Sequence, residues 1–235
     1  STLDRSSAAS DVYKRQLLSS CRRGYFKYLY LCTLNHKIRK IRRKETIRVL
    51  FAVAESATWK NDSLYRAMLM HPGFTPLILV LPDEQKEESL KWEGVDTCFD
   101  FFRNKGYTCS YPYENGKLIN IRKALNPDII FYQKPYTYYP ESFLYRRNLN
   151  ALFCYTNYAF HSLLADWANK NDFFQLVWQN YYENESGFTD LKRKYPEAAS
   201  NIVVTGLPIT DLFLNENHED RWKKTDEKYK RCLLY

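Results

Sequence analysis

The sequence predicts an α/β protein built on a parallel sheet of about six strands with helices on both faces. Two observations carry this. Short, unbroken apolar runs recur along the chain, and a polar or amphipathic stretch of helical length separates each from the next. An unbroken β-branched and apolar run is the pattern of a strand buried on both faces. Strands that alternate with helices are joined by right-handed crossovers into a doubly wound, Rossmann-like sheet.

The first run is "IRVLFAVA" (Ile47 to Ala54). "NDSLYRAMLMH" follows as a helix that Asp62 or Ser63 can cap, with Leu64, Ala67, Met68 and Met70 on its apolar stripe and "HPGF" as its stop. "TPLILVLP" (Thr75 to Pro82) is the second strand, and a polar helix over Glu84 to Lys105, with a break expected at Gly94, leads to a short strand in "GYTCSYPY". "KLINIRKALNPDIIFYQKP" reads as a helix through Leu125, a turn at Asn126-Pro127 and a strand from Asp128 to Tyr132. "ALFCYTNY" (Ala151 to Tyr158) is the fifth strand. Aromatic-rich helices are expected over Phe173 to Glu185 and Thr189 to Tyr195, before a sixth strand in "SNIVVTG" (Ser200 to Gly206).

The net charge of +8 suggests a nucleic-acid binder until it is divided along the chain. Residues 1–48 hold 13 Lys/Arg against 3 Asp/Glu, whereas the remainder holds 22 against 24. The basic excess therefore belongs to a leader, and the body lacks the basic stripe with aromatic platforms that nucleic acid requires. No apolar run is long enough to span a bilayer as a helix. "YFKYLYLCTL" followed by "NHKIRKIRRKE" reads either as an interfacial helix or as a solvated basic one. In the first reading Arg22, Arg23, Lys27, Lys37, Arg39, Lys40, Arg42, Arg43 and Lys44 face anionic lipid, each contributing roughly 1 kcal/mol near such a surface. The six cysteines form no C-x-x-C pair and the four histidines are scattered, so no metal site is expected and reduced, buried thiols are.

Ligands of open α/β sheets bind at the carboxyl ends of the strands, where loops and helix N-termini converge. The loops there are "ESATWKND", "QKPYTYYP", "TNYAFHS" and "TGLPITD". Glu55 can accept from hydroxyls or cap the next helix. Trp59 and Tyr136 can stack on an apolar sugar or glycerol face, unless the indole belongs to the core. Lys60 and Lys134 can neutralise phosphate or lie solvated. Asn157, Tyr158 and Gly206 complete the candidate cleft. His161, just past a strand end, is a general-base candidate, but no Asp or Glu stands in an orienting register, so a structural or surface histidine explains it better. There is no G-x-S-x-G, P-loop or G-x-G-x-x-G, which removes the turns that define serine hydrolases, P-loop NTPases and Rossmann dehydrogenases.

The succession "IRVLFAVAESATWKNDSLYRAML", "FFRNKGY", "LNPDIIFYQKPY", "LFCYTNYAF" and "VVTGLPITDLF" resembles the N-terminal half of the CDP-glycerol glycerophosphotransferase family, two-domain GT-B enzymes of bacterial envelope polymers. The resemblance covers about residues 20 to 231. It implies an acceptor-side domain, a peripheral position at the inner face of the cell membrane, and a hydroxyl of an envelope polymer or lipid-linked acceptor attacking a CDP-activated donor. That donor belongs to a second domain, so no cofactor is expected in this chain. Many members carry an H-G-T-P-type motif where this chain reads "TNYAFHS", so no catalytic role passes to His161. Two other readings stay open: half of a GT-B nucleotide-sugar glycosyltransferase or sugar epimerase, and a non-catalytic binding domain at a membrane surface.

"RSSAASDVYKRQ" (Arg5 to Gln16) has neither helical nor strand periodicity and resembles translated sequencing-adapter read-through, as does the terminal "CLLY". The expected organisation is a leader over residues 1–16, a basic amphipathic segment over 17–45, the Rossmann-like domain over 46–214, and a polar linker over 215–235 that leads towards a further domain.

Overall fold

The computed structural model describes residues 25, 28–134, 138–157, 172–196 and 199–211. Its centre is a parallel sheet of seven strands: β1 (Ile47–Val53), β2 (Phe74–Val80), β3 (Cys109–Ser110), β6 (Ile129–Tyr132), β7 (Leu152–Thr156), β8 (Gln179–Tyr182) and β9 (Ile202–Val204). Their spatial order is β3-β2-β1-β6-β7-β8-β9. The winding runs outward in both directions from β1, so it reverses between β1 and β6. Pairing is longest at that centre, where Ile47 to Val53 lie opposite Phe74 to Val80 and Val49 faces Ile129 on the other side.

Both faces of the sheet are buried. Val49, Phe51, Val53, Ile78, Val80, Phe131 and Cys154 point to one face, against helices α2 (Asp62–Met70) and α3 (Glu88–Asn104). Leu50, Ala52, Leu79, Ile130, Phe153 and Tyr155 point to the other, where Phe143 and Phe173 cover them. This is why the strands read as continuous apolar runs and not as alternating ones. Burial pushes the thiols of Cys98 and Cys154, both free, up to about 12.

Helix α1, over residues 28–42, packs its apolar stripe onto the same core: Tyr30 is buried, and Leu34, Ile38 and Ile41 lie against it. The Tyr30 ring stacks on Phe153 at 5.0 Å, and its hydroxyl oxygen accepts a hydrogen bond from the Phe153 N–H at 3.2 Å. That N–H points towards the β8 side at a level where β8 has not begun, so Tyr30 supplies the acceptor that the sheet lacks. Lys37 lies over the Tyr30 ring at 4.1 Å, and burial pulls its ammonium down to about 8. Lys44 pairs with Asp128 at 2.6 Å, while Arg39, Lys40, Arg42 and Arg43 are exposed. Arg22, Arg23 and Lys27 lie outside the described residues.

Three elements differ from the sequence expectation. The aromatic stretch read as one helix from Phe173 to Glu185 divides into helix α5 (Asp172–Leu176) and strand β8, which raises the strand count to seven. Tyr181 packs on one face of the sheet and Tyr182 on the other, so the aromatics follow a period of two that a window of helical length obscures. "KLINIRKAL" is not one helix. Tyr113–Glu114 (β4) and Lys117–Leu118 (β5) form a hairpin closed by Asn115 and Gly116, with φ of 51° and 73°, the two positive values that a type I′ turn needs. Only Ile121–Ala124 (α4) is helical, capped by the Asn120 side chain, which accepts from Lys123 N–H. Finally, α3 runs through Gly94 without a break and ends at Gly106 (φ 75°). There Gly106 N–H bonds to Arg103 O and Tyr107 N–H to Phe102 O, the paired bonds of a Schellman stop. Helix α6 (Glu185–Lys194) completes the layer beside β9.

Candidate functional site

The reversal between β1 and β6 leaves two adjacent strand ends that diverge, and the side chain of Gln133 ties them together. Its Oε1 accepts from Ala54 N–H at 3.1 Å and Glu55 N–H at 3.5 Å, while Nε2 donates to Glu55 O at 3.0 Å. The buried carboxamide thus continues the backbone ladder for one more residue past the point where β6 ends. Glu55 is fixed by its backbone in this way, and its carboxylate is left to project from the crevice.

That carboxylate receives two ammonium groups, Lys134 at 2.7 Å and Lys86 at 3.2 Å. The hydrogen bond from Lys134 holds the Glu55 carboxyl below its usual range, with burial opposing and Lys86 assisting. Lys86 comes from the turn before α3, on the far side of the crevice, so three separate loops meet on one carboxylate. Glu55 and Lys134 were both expected in the cleft from their strand-end positions. Gln133 and Lys86 were not: Gln133 was visible only as a neighbour of Lys134, and Lys86 sits in a polar run without any distinguishing pattern.

Other candidates lie elsewhere. Trp59 is a core residue: it meets Phe51, Tyr65 and Phe102 edge to face, and its indole N–H donates to Asp62 at 3.0 Å. Its ring therefore does not face the cleft. Lys60 donates to Ala57 O at 3.4 Å. Asn157 is buried at the end of β7 and donates to Glu183 at 3.3 Å. Tyr136, Tyr158 and His161 lie outside the described residues. Neither Asp62 nor Ser63 caps α2, which starts after Asn61 without a side-chain cap. Ser63 donates to Pro208 O, and Asp62 gathers the Trp59 indole, the Tyr107 hydroxyl at 2.9 Å, Lys105 at 2.8 Å and Arg66 at 3.1 Å. Burial raises the Asp62 carboxyl, but these bonds outweigh it and leave the group below its usual range.

Gly206 stands at the end of β9 with φ of 82°, a left-handed conformation that favours glycine. It turns the chain into a 3-10 segment, Pro208–Thr210, which packs beside α2. Between them lies a cavity of about 380 Å³, floored by Phe131, Thr156 and Tyr181.

No protein-family model matches the chain, and no curated protein does. Among solved structures it is similar to a UDP-N-acetylglucosamine 2-epimerase, with 14% identity and a TM-score of 0.46, over 77% of this chain and 53% of that one. It is also similar to the UDP-GlcNAc 2-epimerase of Neisseria meningitidis, solved bound to UDP-GlcNAc, with 12% identity and a TM-score of 0.44, over 72% and 49%. The chain spans about half the length of these structures. Both are sugar epimerases, the class named in the second reading of the sequence, and neither is a glycerophosphotransferase.

Proposed function

We propose that the chain is one Rossmann-like half of a two-domain GT-B-type enzyme acting on a nucleotide-activated sugar or polyol, and that its switch-point crevice receives the hydroxyl-bearing partner. The observation that supports this is the Glu55 carboxylate at the reversal of the sheet, fixed at its backbone by Gln133 and held at its tip by Lys134 and Lys86. A ligand hydroxyl can replace one ammonium on the carboxylate, and the lysine so released can neutralise phosphate. Because its carboxyl is held low, Glu55 is a weak proton acceptor at neutral pH, so its role is to orient the hydroxyl. Nucleotide sugars and CDP-glycerol both fall within this reading, and a second domain would hold the nucleotide.

Titrating the full chain with glycerol 3-phosphate, CDP-glycerol and a panel of UDP-sugars tests it. At least one should bind saturably, and Glu55→Gln and Lys134→Met should each weaken it by about tenfold. Binding that both variants leave unchanged, or binding by none of these compounds, would sink the reading. The compound that binds tightest decides between the two substrate classes.

A peripheral membrane position has its own support. Beyond its core stripe, α1 exposes Arg39, Lys40, Arg42 and Arg43, together with Tyr28 and Leu31 nearer its start. Basic and apolar groups on one exposed side suit an anionic bilayer surface. Sedimentation with phosphatidylglycerol vesicles should pull the chain down at low salt and release it at high salt. Equal recovery with phosphatidylcholine vesicles would refute a charge-driven contact. Among the described residues, no helix is long and apolar enough to cross a membrane.

A further inference from the structure

The cavity beside α2 is separate from the crevice, since Glu55, Lys86 and Lys134 do not line it. We infer that it is a binding site for an uncharged, hydroxyl-bearing small molecule of monosaccharide size, goes beyond the crevice reading, and does not depend on it. Its volume of about 380 Å³ falls at the small end of the range for ligand pockets. It opens at the carboxyl ends of β6 to β9, the edge of an α/β sheet where ligands bind.

The decisive atom is the hydroxyl of Thr156. The residue is only 4% exposed, it ends β7, and its Oγ1 has no hydrogen-bond partner among the described residues. It lies on the cavity floor, two residues beyond Cys154 and so on the same face of the sheet. A buried hydroxyl without a partner is costly, and a ligand hydroxyl seated in the cavity supplies the missing bond. The neighbouring hydroxyls are already committed as donors: Ser63 bonds to Pro208 O and Thr210 to Leu207 O, which braces the wall against α2.

The remaining surface sets the chemical class. Leu64 and Met68 of α2, with Phe131 and Pro208, present apolar surface suited to the C–H face of a sugar ring or polyol. Among the described residues of the lining, Asp211 at the rim is the only charged one, with no Lys, Arg or His to balance it. A phosphate would meet uncompensated negative charge, whereas a neutral hydroxyl can donate to the carboxylate.

Ligand-observed NMR titrations of the full chain with glucose, ribitol and glycerol, each beside its phosphate ester, test the assignment. At least one neutral compound should saturate, more tightly than its ester. Thr156→Val, which keeps shape and removes the hydroxyl, should weaken it about two- to tenfold. Ala67 is an exposed lining residue of α2, so Ala67→Phe fills the cavity without entering the core and should abolish binding. Ala67→Phe should leave unchanged the binding of any compound that Glu55→Gln weakens, which separates the cavity from the crevice. Tighter binding of the esters that Ala67→Phe abolishes, no saturation by any neutral compound, or Thr156→Val binding like the wild type would overturn the assignment. Should Thr156→Val fail to fold, retention of binding by Ala67→Phe overturns it alone.

Discussion

Two carboxylates follow β1 within one stretch of chain, and the structure treats them in opposite ways. Asp62 sits under Tyr107 and Trp59 and is met by an indole, a phenol, an ammonium and a guanidinium. Glu55 is met by two lysine tips, each at the end of a long, flexible stem. Both carboxyls are held below their usual range, so charge stabilisation alone does not distinguish them. What distinguishes them is the rigidity of the partners. Two of the donors on Asp62, the Trp59 indole and the Tyr107 phenol, are anchored in the core and fix the start of α2 against the end of α3. Those on Glu55 can exchange for a ligand at the cost of little packing.

The largest test of this contrast is Asp62→Ala. It strands the Trp59 N–H and the Tyr107 hydroxyl in a partly buried pocket, and should destabilise the fold by roughly 2–3 kcal/mol in chemical denaturation. Loss below about 0.5 kcal/mol would mean that water replaces the carboxylate freely, and would erase the distinction. A pH titration of stability sharpens it. A carboxyl whose folded value is depressed adds stability that is complete above its unfolded value and lost as pH falls through the folded one. Asp62→Asn should therefore flatten the acid limb of the stability curve. Equal acid sensitivity in Asp62→Asn and the wild type would assign that limb to other groups. The smallest effect expected is that of Glu55→Gln on stability, within about 0.5 kcal/mol because a carboxamide can still accept from Lys134 and Lys86, whose long side chains can also turn to water. A larger loss would make Glu55 a structural residue like Asp62 and weaken its role as a ligand group.

How far the fold could be read in advance depended on the length of each pattern. β1 and β2 span seven residues each, are apolar except at Arg48 and Thr75 near their starts, and were legible as buried strands. β8 has four residues, two of them buried, and follows a five-residue helix with a similarly aromatic composition. Neither piece is long enough to establish its own period, so the two merged into one expected helix. The Asn115-Gly116 turn was a readable hairpin signal that the helical pattern of "INIRKAL" outweighed. At the site, Glu55 and Lys134 were legible because strand ends direct attention to them. Trp59 was not resolved between cleft and core, because an aromatic residue just after a strand serves either place.

The sequence by itself determined the alternation of buried strands and helices, hence a parallel doubly wound sheet, and it located the carboxyl ends where side chains converge. These follow from local periodicity and from the handedness of crossovers, which need no knowledge of partners. Only the tertiary structure decided which residues meet. Lys86 and Lys134 are 48 positions apart and reach Glu55 because β2 and β6 flank β1. The basic helix α1 turned its apolar stripe to the sheet because Phe153 had an N–H to satisfy and a ring to cover. Thr156 became a candidate ligand group only because the turn at Gly206 closed a wall above it. Contacts between distant segments depend on packing, and packing is set by the whole chain at once.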